Sequence, residues 1–165
     1  MRYLVTDDHI VHFRKEGLIE FEGLELQPLV DLVKKEPFHF NLSIHNPEIQ
    51  KAIFKLKLPQ IASQLCKQSP VQFVFDCILK TGAYSLKNNA SCSQLQCAAV
   101  INLENLKLTF IYYDFEILIA EPVFLIGFAK FPARYIFNDE DPYKHALKEF
   151  GFSYSDVIHY ASTRE

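Results

Sequence analysis

Residues 71–79 read VQFVFDCIL, and this run decides the fold. Valine, isoleucine and phenylalanine crowd a stretch too short for a core helix, which is how a strand buried on both faces is written. Working outward toward the C-terminus, residues 97–103, 106–113 (LKLTFIYY), 116–120, 123–130 (VFLIGFAK) and 133–137 (ARYIF) repeat the pattern at short intervals. Several such runs separated by small breaks predict an antiparallel sandwich or barrel. The polar stretch 80–96 (KTGAYSLKNNASCSQLQ) is expected to be the longest loop.

Outward in the other direction the chain changes character. Thr6 can cap a helix whose first turn carries Asp7 and Asp8, and Gly17 can take the left-handed conformation that closes it. Ile10 and Phe13 then face inward. Leu18-Ile19-Glu20-Phe21-Glu22 alternates as a strand does, and Pro28 opens a second helix with Leu29, Val30, Leu32 and Val33 on one side. Residues 37–46 (PFHFNLSIHN) form a loop. Asn46-Pro47-Glu48 is a cap, first turn and favourable acid for a helix over 47–57, and Pro59 starts another through Ile61, Ala62 and Leu65. Asp141-Pro142 begins a last helix that Gly151 ends. The expected organisation is a single α+β domain over residues 1–165. Residues 1–68 supply mainly helical support, 69–140 the strands and 141–165 a terminal helical segment.

A chain of 165 residues with 49% apolar and 22% charged side chains can bury a sizeable core. No run approaches the roughly 20 apolar residues a bilayer requires, and the start turns acidic at Asp7-Asp8 before a signal core forms. The expectation is a cytoplasmic protein without membrane contact. Its 15 Phe and 8 Tyr, with no Trp, favour a β-rich core. The four cysteines, Cys66, Cys77, Cys92 and Cys97, contain no Cys-x-x-Cys pair, so a zinc ribbon or thioredoxin-type site lacks support and buried free thiols are expected.

The net charge of -3 hides a segregation: residues 51–100 carry six lysines against Asp76 alone, while the flanking segments are acidic. Lysines solvating helix faces are the simpler reading, and an electropositive face for an anionic partner the sharper one. No recognition-helix pattern or basic-aromatic motif accompanies them, which argues against nucleic acid. Glycine-rich phosphate loops and a Gly-x-Ser-x-Gly elbow are missing as well.

Histidine remains as the carrier of chemistry. His9 and His12 are three apart on the first helix, and His39 and His45 lie in one loop; these four are the weak metal candidates. The simpler reading is a capped helix with solvated imidazoles, and a solvated loop.

The opening TDDHIVHFRKEGLIEFEGLE (6–25), with its Phe13-Arg14-Lys15-Glu16-Gly17 turn feeding a strand, resembles the phytanoyl-CoA dioxygenase-like branch of the 2-oxoglutarate and iron(II)-dependent oxygenases. LPQIASQLCKQSPVQFVFD (58–76) is similar to that family's later helix, turn and strand. The resemblance implies N-terminal helices packed on a double-stranded β-helix, a jelly-roll-like barrel. It also implies a facial triad of two histidines and a carboxylate, the first two written His-x-Asp or His-x-Glu in the interval 80–96. That interval holds no histidine and no carboxylate. The residues two beyond the six histidines are Val11, Arg14, Asn41, Pro47, Leu147 and Ala161. No distal histidine stands between 120 and 140.

The expectation is therefore an oxygenase-like fold without the iron pair, serving as a non-catalytic binder of a ligand, such as a small-molecule anion, or of a protein partner. No cofactor is predicted; iron(II) and 2-oxoglutarate enter only if the resemblance extends to activity. The lining of the barrel mouth is expected from Tyr84, Tyr112, Arg134 and Tyr135, with Arg134 as an anion clamp. Two alternatives stand beside this reading. One is an active oxygenase with ligands relocated to His39, His45 and a remote acid; the other is a metal-dependent nucleic-acid-binding regulator.

Overall fold

The computed structural model describes residues 5–67 and 71–158; the first residues of the acidic opening and the end of the terminal segment, His159 included, lie outside them. Helix α1 (Asp7–Glu16) begins at Thr6, whose hydroxyl accepts from the His9 N–H while the His9 imidazole accepts from the Thr6 N–H. It ends at Gly17, at a φ of +82° that only glycine takes without strain. The turn delivers the chain into β1 (Leu18–Phe21). Helices α2 (Gln27–Lys34), α4 (Pro47–Lys55) and α5 (Leu58–Cys66) follow, each with proline in its first turn.

Strands β2 (Val71–Leu79), β4 (Leu95–Asn102), β5 (Leu108–Tyr112) and β7 (Val123–Lys130) join β1 in a five-stranded antiparallel sheet of order β1-β5-β4-β7-β2. Strands β3 (Gly82–Tyr84) and β6 (Ile117–Ile119) pair as a separate two-stranded sheet. The result is α+β with a jelly-roll-like sandwich, and the sandwich is open rather than a closed barrel. One face of the large sheet carries the helices. Phe13 on Tyr112 and Phe54 on Phe73 join the layers there, with ring centroids 5.7 and 6.4 Å apart, and Phe21 packs on Phe110 within the sheet at 5.6 Å.

The other face looks toward β3 and β6, and a bulge sets what it presents. Phe73 pairs with Phe128 and Phe75 with Gly127, a register shift that sends Phe73 and Phe75 to opposite faces although they are two residues apart. Phe75 thereby lies over Gly127, so close that a Cβ there would come within 2.3 Å of the ring.

Strand β2 is at the sheet edge, yet all nine of its residues are buried. The loop before α3 (Leu42–His45) covers it: the Asn41 N–H donates to the Asp76 carbonyl at 2.7 Å and the Ile78 N–H to the His39 carbonyl at 2.8 Å. The buried Asp76 carboxylate accepts from the Leu42 N–H at 2.6 Å and the Ser43 hydroxyl at 2.7 Å, holding the loop down. An exposed ladder edge invites pairing with other chains, and this one is closed.

Four sequence expectations need correction. The stretch 80–96 is not one long loop, because Gly82–Tyr84 forms β3 and Leu86–Asn89 a short helix, α6, capped by Ser85. The loop 37–46 contains the helical turn α3, which Asp76 stabilises from 33 and 34 positions away in sequence. Residues 133–137 run extended but pair only through single bridges, Tyr135 with Cys92 and Arg134 with Val157. The last helix is only α7 (Ala146–Glu149), since Asp141 caps a turn rather than a continuous helix.

Candidate functional site

A cleft of about 440 Å³ opens at one end of the sandwich. Five separate pieces of chain build it: His39 from the loop covering β2, residues between Ile78 and Tyr84 around the β2–β3 turn, Asn89 from α6, Ile119 from β6, and residues between Glu140 and Tyr143. Hydrogen bonds fix the last piece. Asn138 donates its amide to the carbonyls of Asn88 and Ala90, and Asn89 donates to the Glu140 carbonyl at 3.1 Å. Asp141 accepts from the Ser91 hydroxyl at 2.6 Å and the Tyr143 N–H at 2.7 Å, and the Tyr143 hydroxyl donates to the Ile78 carbonyl.

Tyr84 is the buried polar side chain of this cleft. It is 4% exposed and lines the cavity, and among the described residues nothing hydrogen-bonds its hydroxyl. A hydroxyl carried by a buried ring to the wall of a cavity is placed to meet a bound group. Burial, with Cys77, Asp141, Cys92 and Tyr143 nearby, holds the phenol well above its ordinary pKa, so it stays protonated and can donate. His39 and Lys80 stand exposed at the rim, with Glu140 opposite in charge.

Beneath the cleft lie Cys77 and Cys92. Burial raises both thiols, and Asp141 raises them further. Asp141 is itself raised by burial, an effect opposed by the bonds from Ser91 and Tyr143. Phenol and thiols here are all held in their protonated forms, whereas metal ligation by thiolate or phenolate needs the proton gone. Phe75 fills the neighbouring space, stacked on Phe40 at 5.9 Å.

Of the residues expected at the barrel mouth, only Tyr84 lines the cleft. Tyr112 sits on the helix-bearing face with its ring edge on Phe13. Tyr135 is buried and donates its hydroxyl to the Lys144 carbonyl at 2.7 Å, its pKa pushed up to about 12 chiefly by burial. Arg134 is exposed and donates to the Ser155 carbonyl at 2.8 Å, while Asp139 is taken by Lys144 at 2.7 Å. The histidines are also dispersed. His9 belongs to the α1 cap, His12 is exposed, His39 is at the cleft rim and His45 stacks on Phe38 at 3.7 Å. Among the described residues no group of three His, Cys, Asp or Glu side chains is arranged to hold a metal ion.

This arrangement of sheets and helices recurs in solved structures. The carbocyclase SnoK from nogalamycin biosynthesis, described as non-haem and α-ketoglutarate-dependent, superposes with a TM-score of 0.70 over 94% of either chain, at 10% identity. The chain shares the fold of that carbocyclase. CT296 from Chlamydia trachomatis matches with a TM-score of 0.61 at 19% identity, covering 78% of this chain and 97% of its own. Its selenomethionine form gives 0.58 at 20% identity. No family model and no curated protein sequence matches the chain. At these identities the likeness carries the fold, and function must be argued from the site.

Iron(II) in this fold would need imidazole and carboxylate ligands. In the interval where the resemblance places the first pair, the buried polar or thiol side chains are Tyr84, Ser85, Ser91 and Cys92, with neither imidazole nor carboxylate among them. Iron(II) is poorly served by neutral hydroxyls, a protonated phenol and a protonated thiol. The described residues do not fit the metal. Lys80, Glu140 and Tyr143 were not among the residues singled out from the sequence for this site, because nothing local in the chain marks their convergence.

Proposed function

We propose that the protein is a non-catalytic binder that uses an oxygenase-like fold to hold a small molecule in the cleft between His39, Lys80, Tyr84 and Tyr143. The observation that carries this reading is the Tyr84 phenol, its ring buried and its hydroxyl protonated, at the wall of a cavity. A volume of about 440 Å³ falls within the range of small-molecule sites. The chemistry of the lining suits a ligand that presents a carbonyl or carboxylate oxygen to the Tyr84 O–H, with Lys80 favouring negative charge on its side of the rim and Glu140 opposing it on the other.

The test is ligand-observed NMR against a panel of small carbonyl and carboxylate compounds, repeated with Tyr84→Phe. The expected result is a binder whose affinity falls roughly threefold to tenfold in the variant, the worth of one hydrogen bond, with thermal stability unchanged. Binding that is indifferent to Tyr84, or turnover of a bound compound, would overturn the proposal.

A further inference from the structure

The wall of the cleft carries two charges of opposite sign on pieces of chain 60 positions apart in sequence. Lys80 follows the last residue of β2, in the turn to β3, and Glu140 stands in the segment that Asn89 holds through the Glu140 carbonyl at 3.1 Å. Both side chains are exposed, and neither is ion-paired among the described residues. Lys144, four positions beyond Glu140, is engaged instead by Asp139 at 2.7 Å. Other polar groups of the wall are already committed, the Tyr143 hydroxyl to the Ile78 carbonyl and the Asn89 amide to the Glu140 carbonyl. Ile78, Ile119 and Pro142 add apolar surface. A monoanion in such a cleft gains from the lysine and loses to the glutamate, and a monocation does the reverse. A ligand with both charges gains from each.

We propose that the ligand of this cleft is a small zwitterion. Its carboxylate meets Lys80 and the Tyr84 O–H, its ammonium meets Glu140, and its apolar side chain lies against Ile78, Ile119 and Pro142. The inference rests on the cleft being a binding site, and it narrows the ligand to the ammonium–carboxylate chemistry that free amino acids and dipeptides share. Exposed charges without a partner contribute little to stability, so this pair serves recognition rather than the fold.

The experiment measures binding to the full chain by ligand-observed NMR at fixed pH and salt. The probes are leucine, phenylalanine and the dipeptide leucylleucine. Beside them stand 4-methylpentanoate and 3-phenylpropanoate, which lack the ammonium, and leucinamide and phenylalaninamide, which lack the carboxylate. The expected result is a bound zwitterion whose affinity falls roughly threefold to tenfold on loss of either charge. Glu140→Gln should weaken the zwitterion by the same factor and spare the compounds without ammonium. Lys80→Gln should weaken the zwitterion and spare the amides, and both variants should keep the parent Tm. Comparison of the amino acids with the dipeptide identifies which source the cleft takes. Carboxylates that bind as tightly as the zwitterions, or zwitterion binding indifferent to Glu140→Gln, overturn the inference and leave the Tyr84-dependent binder standing. Failure of zwitterions and carboxylates alike to bind overturns both.

Discussion

Replacing Gly127 by alanine probes how completely the inner face of the sandwich is filled. A Cβ at this position would stand 2.3 Å from Cε1 of Phe75 and 2.8 Å from Cδ1 and Cζ, where carbon atoms in contact prefer about 3.5–4.0 Å. The ring must retreat by more than an ångström. It is 3% exposed and is backed by the stacked Phe40 ring. The strand cannot yield either, since β7 is hydrogen-bonded to β2 on one side and β4 on the other. Overpacking of this kind costs about 1–3 kcal/mol, or a fall in Tm of roughly 2–12 °C for a domain of this size. The sign is diagnostic, because in an uncrowded strand alanine would be more stable than glycine by about 0.5–1 kcal/mol. Urea denaturation of Gly127→Ala, Phe75→Leu and the double variant measures the coupling. The glycine substitution should become nearly neutral once Phe75 is shortened. A Gly127→Ala protein as stable as the parent, or more stable, would refute the account of a filled interior.

Further outcomes follow from other contacts. Asp76→Ala removes the buried acceptor of the Leu42 N–H and the Ser43 hydroxyl, and each stranded donor costs about 1–3 kcal/mol. Hydrogen exchange should show the loop at 39–45 released from β2 before the sheet unfolds. The Tyr143 phenol is raised from 10 to about 12, first by burial and then by Cys77 and Asp141. Its contribution to stability is complete below the unfolded value of 10 and is lost as pH rises through the folded value. Tyr143→Phe should therefore flatten the stability profile between those limits, and a profile with unaltered slope there would contradict the assignment.

Much of the architecture is legible in the residues because its signals are local. Thr6, Gly17, Pro28, Asn46-Pro47 and Pro59 punctuate the helical half as caps and first turns. The long apolar runs name β2, β4, β5 and β7. What escapes is whatever depends on distant partners. β3 is three residues long and two of them are exposed, so it carries no alternation; it exists because β6 pairs with it. Residues 133–137 look like a strand by composition, yet their neighbours on both sides are loops, and their pairing stops at single bridges. For the site, Tyr84 is legible as a polar side chain in the interval where a metal pair is missing. Arg134 is not distinguishable by sequence from an anion clamp. Only the fold shows its guanidinium engaged with the Ser155 carbonyl.

The central claim is that this oxygenase-like sandwich lacks the ligands for iron and binds a small molecule instead. Anaerobic titration with iron(II) and 2-oxoglutarate, followed by visible absorption and by metal analysis after desalting, tests it most directly. The account predicts no charge-transfer band and no retained stoichiometric iron. One iron held per chain, with a band that disappears in His39→Ala or His45→Ala, would contradict it.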